Sequence, residues 1–237
     1  MITFGVIGEG VTDYWVVRHI IVGYFGEDAF VTGIQPPVRA SGAERLPGAE
    51  RPPGGWDLVF KSIAQGDHIE ALARNDYVVI QIDTDVCEQK GYDVPRRDGG
   101  RELSVDELVT RVIEKLKGMM GGDSYSKHAG RFIFAIAVDS VECWLLPLLY
   151  SDGRVAKVTG CLAAANEALR RSDEAPLSEM GRRGVEKDLQ AYKRVSRPYT
   201  KRKRLLELRD ANPSLGHFVR QLDAISASAL SSASTES

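Results

Sequence analysis

Apolar residues along the chain fall into two alternating textures. Ile2 to Ile7, Tyr77 to Ile82 and Arg131 to Val138 are short runs rich in branched aliphatic side chains. Such runs are too brief for ordinary helices and apolar on both faces, the mark of strands buried in a parallel sheet. Between them the apolar positions spread to helical spacing. Val11, Trp15, Ile20, Ile21, Tyr24 and Phe25 supply the inner face of a helix after Gly-Glu-Gly, with Thr12 as its N-cap. Ala29 to Val38 reads as a second strand closed by Pro36-Pro37, and Trp56 to Ala73 as a helix burying Leu58, Ile63, Ile69 and Leu72. Ser104 caps a further helix to about Lys117, with Asp106 and Glu107 in the first turn, where acids complement the helix dipole.

Residues 40–55 are rich in Gly, Pro, Ala, Arg and Glu without a period and predict a loop. From about Val155 only helices are expected, near 157–170, 184–195, 199–210 and 214–225. The serine- and alanine-rich residues 226–237 are expected to be disordered. Alternating strands and helices predict an α/β fold, a mainly parallel central sheet flanked by helices over residues 1–150. Residues 151–225 then form a basic helical extension packed on it.

Composition changes this picture little. The 237 residues are 43% hydrophobic and 27% charged, ordinary for a globular protein. The net charge of −2 offers no global basic field. Cys87, Cys143 and Cys161 are widely spaced, with no CxxC pair, which argues against zinc and against a disulfide framework. That favours a reducing compartment. The N-terminal apolar run is too short for a signal sequence, and no segment reaches the roughly 20 apolar residues of a membrane span. A cytoplasmic protein is the expectation.

The candidate chemistry is acidic and sits where strands end. Glu9 follows the first strand, Asp83 and Asp85 the third, Asp139 and Glu142 the fourth. Ligands of open parallel sheets bind outside the carboxyl ends of the strands. Carboxylates gathered there repel one another unless a cation neutralises them, and oxygen donors suit a hard divalent ion, Mg²⁺ or Mn²⁺. Taken singly, Asp83-Thr84-Asp85 is also ordinary turn chemistry, and Glu142 is also a dipole-satisfying acid in a first helical turn.

The apolar strand leading to Glu9-Gly10 with Thr12-Asp13, then the apolar strand leading to Asp83-Thr84-Asp85, resembles the Toprim domain over roughly residues 1–150. The form of the first motif is most similar to that of OLD-type nucleases and small stand-alone Toprim-like proteins of phage-defence loci. In those relatives a third acid follows a later strand, and Glu142 in FAIAVDSVECWLLPLL matches it. Gly54-Gly55 and Lys61 fall where relatives carry a Gly-rich turn and helix. The resemblance implies Mg²⁺-dependent phosphodiester cleavage, with Glu9, Asp83, Asp85 and Glu142 as ligands or, for Glu9, as general base. A lysine, Lys61 or Lys127, would neutralise phosphate charge. The resemblance does not extend to the ATPase domain of OLD-type enzymes, so ATP-driven control is expected to come from a partner ATPase or another defence protein, or to be absent.

Positive charge concentrates near the C-terminus. Arg182, Arg183, Lys187, Lys193, Arg194, Arg197, Lys201, Arg202, Lys203, Arg204 and Arg209 lie among few acids, with Tyr192 and Tyr199 interleaved. Clustered cations hold phosphates and tyrosines stack on bases, so DNA or RNA is the expected partner. The competing view is a solvated helical face. His19, His68, His128 and His217 show no metal-ligand spacing, and Trp15 and Trp144 sit on core-facing positions. Three other readings compete with a nuclease. One is a Toprim-like module that binds nucleic acid or a partner without turnover. Another is a HAD-type phosphatase with Asp83 as nucleophile, although its motif normally sits on the first strand. The last is a glycosyltransferase DxD, which leaves the basic region without a role.

Overall fold

The computed structural model describes residues 1–38, 54–181 and 184–235. Most of the expected 40–55 loop, and the cations Arg182 and Arg183, lie outside the described residues. The chain begins with β1 (Ile2–Ile7), α1 (Val11–Phe25), β2 (Ala29–Gln35), α2 (Trp56–Gln65), α3 (Asp67–Leu72) and β3 (Tyr77–Asp83). A two-rung ribbon, β4 (Arg97–Asp98) and β5 (Arg101–Glu102), precedes α4 (Val105–Met120), α5 (Gly122–His128) and β6 (Phe132–Ala137). Then come α6 (Leu146–Leu149), α7 (Cys161–Arg171) and a second ribbon of β7 (Ser178–Gly181) and β8 (Gly184–Lys187). The chain closes with α8 (Leu189–Ser196), α9 (Arg202–Leu208) and α10 (Pro213–Thr235).

The central sheet is parallel throughout, in the order β2-β1-β3-β6. The chain leaves β1 on one side to form β2 and returns on the other to form β3. That reversal opens a crevice beyond the carboxyl ends of β1 and β3.

Both faces are buried, as the unbroken apolar runs require. Phe4, Val6, Val79 and Ile133 pack with Val17 and Ile20 of α1, Tyr192 of α8 and Trp144. Ile80, Ile82, Phe134 and Ile136 pack with Phe60 and Ile63 of α2 and Leu108 and Val112 of α4. α1 approaches the 3₁₀ turn Arg197–Thr200 so closely that a Cβ on Gly23 would stand 1.7 Å from the Tyr199 carbonyl oxygen. The open edge of β6 is closed by α10: the Phe134 N–H donates to Gln221 Oε1 at 2.9 Å, and Gln221 Nε2 donates to Phe134 O at 2.8 Å. A helix laid along the edge and bonded to it at Phe134 blunts β6 as a template for another chain. Ser104 caps α4 as expected, and does so through a reciprocal capping box with Glu107.

Four expectations are corrected. The helix over 56–73 breaks at Gly66, whose φ of +88° turns the chain between α2 and α3. The segment from 184 is a strand before it is a helix. Asp188 accepts from the N–H groups of Gln190 and Ala191 and so starts α8 at Leu189, leaving Gly184–Lys187 to pair with β7. α10 runs on to Thr235 instead of ending near 225. Finally, Cys143 and Cys161 are joined, with sulfurs 2.10 Å apart, because the start of α7 packs on the 3₁₀ turn Val141–Leu145. That pairing removes the ground on which a reducing compartment was expected. No helix among the described residues is long and apolar enough to cross a membrane.

Candidate functional site

The crevice is organised by a buried amide. Gln81, fully buried near the end of β3, accepts the Glu9 N–H at 3.0 Å and donates to Asp83 Oδ1 at 2.9 Å. Glu9 Oε1 in turn accepts the Asp83 N–H at 2.7 Å. Glu9 and Asp83 are therefore held across the switch point between β1 and β3. The Asp83-Thr84-Asp85 turn is stapled to the end of β6: the N–H groups of Thr84 and Asp85 donate to Asp139 O at 3.1 and 2.9 Å. Thr84 Oγ1 accepts the Asp139 N–H at 2.9 Å, which holds Asp139 at a φ of +67°. Asp85 is exposed at the mouth.

Glu142 and Lys187 close the crevice from the far side. Glu142 is 1% exposed, and its carboxylate accepts from the Lys187 ammonium at 2.7 Å and from the Tyr192 hydroxyl. Asp13, in the first turn of α1, is buried too; Thr12 Oγ1 donates to its Oδ2 at 3.1 Å, while its Oδ1 has no hydrogen-bond partner.

Electrostatics follow from burying several acids against one ammonium. Burial first, then the charges of Asp13 and Asp85, pushes the Glu9 carboxyl up to about 8. Burial, then Glu9 and Asp13, pushes Asp83 well above its ordinary value, and burial raises Asp13 as well. Burial alone would also raise Glu142, but the Lys187 ammonium overrides it and holds this carboxylate below its ordinary value. Lys187 is held well above its own, since Glu142 and Asp13 outweigh its desolvation.

The sequence-derived acids thus meet at one sheet edge in unequal roles. Glu9, Asp83 and Asp85 face the crevice, whereas Glu142 is committed to Lys187 and Tyr192. Among the described residues, no three of these acids bring carboxylate oxygens within 4.8 Å of one another. The single triad that meets this spacing is Asp139, Cys143 and Cys161, whose sulfurs are bonded to each other. The donor set nevertheless suits a hard divalent ion: it is all oxygen, in excess over its one contacting cation, and includes an orphaned buried carboxylate oxygen on Asp13.

Of the other residues at the site, Asp13 entered the sequence reading only as part of the first motif, Lys187 only as one cation of the basic cluster, and Gln81 with no role. Lys187 lies 45 residues beyond Glu142, on a ribbon expected to be helix, and no local signal marks it as that acid's partner. Lys61 and Lys127, the expected assisting lysines, are exposed on α2 and α5 and bond to none of these acids.

The basic residues divide. Tyr199 is fully buried with its hydroxyl donating to Trp144 O, and Tyr192 is fully buried on Glu142, so neither ring is free to stack on a base. Their spacing sets both on the face that packs against α1 and the 141–146 segment. Lys201, Lys203 and Arg204 are exposed, Arg204 lying 3.7 Å from Glu207. Arg202 covers the Tyr24 ring at 4.4 Å and donates to Tyr24 O. Arg194 pairs with Glu174 at 3.1 Å, Lys193 stands 4.1 Å over the Trp15 ring, and Arg197 is exposed. Compared with family models, with curated proteins and with solved structures, the chain finds no match in any of the three.

Proposed function

We propose that this chain is a Mg²⁺-dependent, Toprim-like nuclease that cleaves phosphodiester bonds in DNA or RNA, with phage defence as its setting. The observation that carries the reading is the arrangement of Glu9 and Asp83 across the β1/β3 switch point, with the Lys187–Glu142 ion pair closing the same crevice. Glu9, Asp83 and Asp85 would hold the ion, with Asp13 behind them. A bound Mg²⁺ supplies charge to a phosphoryl oxygen and lowers the pKa of a coordinated water.

The chain's own groups have distinct work. Lys187 presents an ammonium that stays charged at all working pH values and can neutralise a non-bridging phosphate oxygen. Glu142 and the Tyr192 hydroxyl are positioning groups, holding that ammonium toward the acids. Glu9, whose carboxyl burial pushes up to about 8 before any divalent ion binds, would be drawn into its ionised form by the cation and so serve as a ligand rather than as the general base. Lys187 therefore replaces Lys61 and Lys127 in the assisting role.

The test is cleavage of labelled single- and double-stranded DNA and RNA with Mg²⁺ or Mn²⁺, against EDTA and Asp83→Asn controls. Metal-dependent cutting that disappears in Asp83→Asn supports the nuclease. The commitment of Glu142 to Lys187 favours, as a second reading, a binding module without turnover. Metal-independent nucleic-acid binding with no cutting by any substrate would establish that instead.

A further inference from the structure

The two partners of the Lys187–Glu142 ion pair reach the crevice on different elements, and one helix, α7, is tied to both. At its start Cys161 is bonded to Cys143, the neighbour of Glu142 in the 3₁₀ turn Val141–Leu145. Farther along α7, the buried Asn166 holds the β7–β8 ribbon. Its Oδ1 accepts the Leu177 N–H at 2.7 Å, and its Nδ2 donates to Ser178 Oγ at 3.1 Å and to Ser178 O at 3.3 Å. Ser178 stands directly opposite Lys187 in the ribbon. We propose that the Cys143–Cys161 bond is a redox latch on the Lys187 ammonium: closed, it lets α7 hold Lys187 against Glu142, and its reduction by a dithiol slackens that hold. The proposal rests on the nuclease reading only in taking Lys187 as the cation that meets a phosphate.

The links form a closed ring. From Glu142 it passes through Cys143 and Cys161, along α7 to Asn166, across to Ser178, over the ribbon to Lys187 and back to Glu142. The far strand cannot slide freely on the near one, because the Asp188 N–H donates to Leu177 O at 2.7 Å. Lys187 therefore moves with Ser178, and Ser178 with α7. A charge-assisted bond to a buried carboxylate depends on geometry, so slack in any link of the ring weakens it.

The disulfide is the link whose loss would be felt, since the first turn of α7 has little other support. Its N-cap position is Gly160, which makes no side-chain cap bond, and the Cys161 N–H reaches Asp139 Oδ2 only at 3.5 Å. The Tyr150 hydroxyl donates to Ala164 O at 2.8 Å, one turn farther in. Cys87, the free cysteine, is buried in the core layer on the opposite face of the sheet and is no substitute partner.

The exchange is ordinary thiol chemistry. A thiolate of the dithiol attacks one sulfur, the S–S bond breaks, and its electron pair leaves on the other sulfur, which takes a proton. The second thiol of the reagent then attacks the mixed disulfide and frees the remaining cysteine as a thiol. The chain gains two electrons and two protons, and the dithiol becomes its own disulfide. Both cysteines are fully buried, so attack waits for the uncapped first turn to open.

The experiment is a double-mutant cycle of Lys187→Met and Glu142→Gln, read by urea unfolding of oxidised protein and of protein reduced with dithiothreitol. Alkylation in denaturant verifies each state. The cycle reports the coupling between the two side chains and cancels the general stability that leaves with the bond. Reduction is expected to remove at least half of the coupling. Cys143→Ala/Cys161→Ala should do the same without reductant, and chemical reduction of the native pair serves where that variant does not fold. Asn166→Ala, which cuts the ring elsewhere, should weaken the coupling in oxidised protein, whereas Gln221→Ala at the far sheet edge should leave it whole. Equal coupling in the oxidised and reduced states, or an equal loss in Asn166→Ala and Gln221→Ala, overturns the latch and leaves the nuclease reading untouched. Coupling lost on reduction, in a protein that cuts no nucleic acid in either state, supports the latch and removes the nuclease reading instead.

Discussion

Replacing Lys187 with methionine removes the ammonium that lies among the buried acids while keeping the length of the side chain. The partner left behind, Glu142, is 1% exposed and keeps only neutral partners, the hydroxyls of Tyr192 and Ser140. Breaking a buried ion pair by deleting one member typically costs ~3–5 kcal/mol, because the remaining charge is stranded away from water. The Lys187 side chain is 35% exposed, so solvent already screens part of the pair, and about 2–3 kcal/mol is the appropriate size. The loss must also depend on pH. In the wild type, Lys187 holds Glu142 below its ordinary value of 4.5, so the pair's contribution is present above that value and fades as pH falls below it. In Lys187→Met, burial is unopposed and the Glu142 carboxyl rises, so a proton relieves the stranded charge in mildly acid solution. Urea unfolding followed by circular dichroism at about pH 8 and about pH 5.5 should show the larger penalty at the higher pH. Adding Glu142→Gln should restore at least half of it, since an amide still accepts the Tyr192 hydroxyl and carries no charge. A penalty below about 0.5 kcal/mol, or one equal at both pH values, would refute the stranded-charge reasoning.

Three further outcomes are expected. Because Glu9 is raised from 4.5 to about 8, its folded form holds a proton that the unfolded form has lost. Its contribution is fully present below 4.5 and is lost as pH rises through 8. A divalent ion would take the proton's place, so the rise in melting temperature with millimolar Mg²⁺ should be larger at about pH 8.5 than at about pH 6, and Asp83→Asn should abolish it. Gly23→Ala should destabilise by about 3 kcal/mol or more, since its Cβ would stand 1.7 Å from Tyr199 O. Helix propensity alone predicts a gain of about 1 kcal/mol there, so a stabilised variant in thermal melts would show that the helix and the turn do not meet so closely. Gln221→Ala should cost about 1–3 kcal/mol and speed hydrogen exchange at the Phe134 amide, which loses its acceptor at the sheet edge.

The sequence by itself determined the sheet and where several of its acids would gather. Strands buried on both faces must be apolar throughout, so the runs at β1, β3 and β6 are legible without coordinates, and so are the acids that follow them. The capping box at Ser104 is legible for the same reason: its partners are three residues apart. The order β2-β1-β3-β6, which makes neighbours of Glu9 and Asp83, is a matter of which strands pair across long loops, and no local pattern encodes it. Nor could spacing show that Tyr192 and Tyr199 turn inward, because a tyrosine on a basic amphipathic helix fits a core or a nucleic acid equally well until the packing face is known. Cys143 and Cys161 meet, and Gln81 bridges Glu9 and Asp83, only through packing between elements. Lys187 is the plainest case. It stands in no motif, and what makes it part of the site is a 2.7 Å contact with a carboxylate 45 residues earlier in the chain, a distance that only the folded backbone sets.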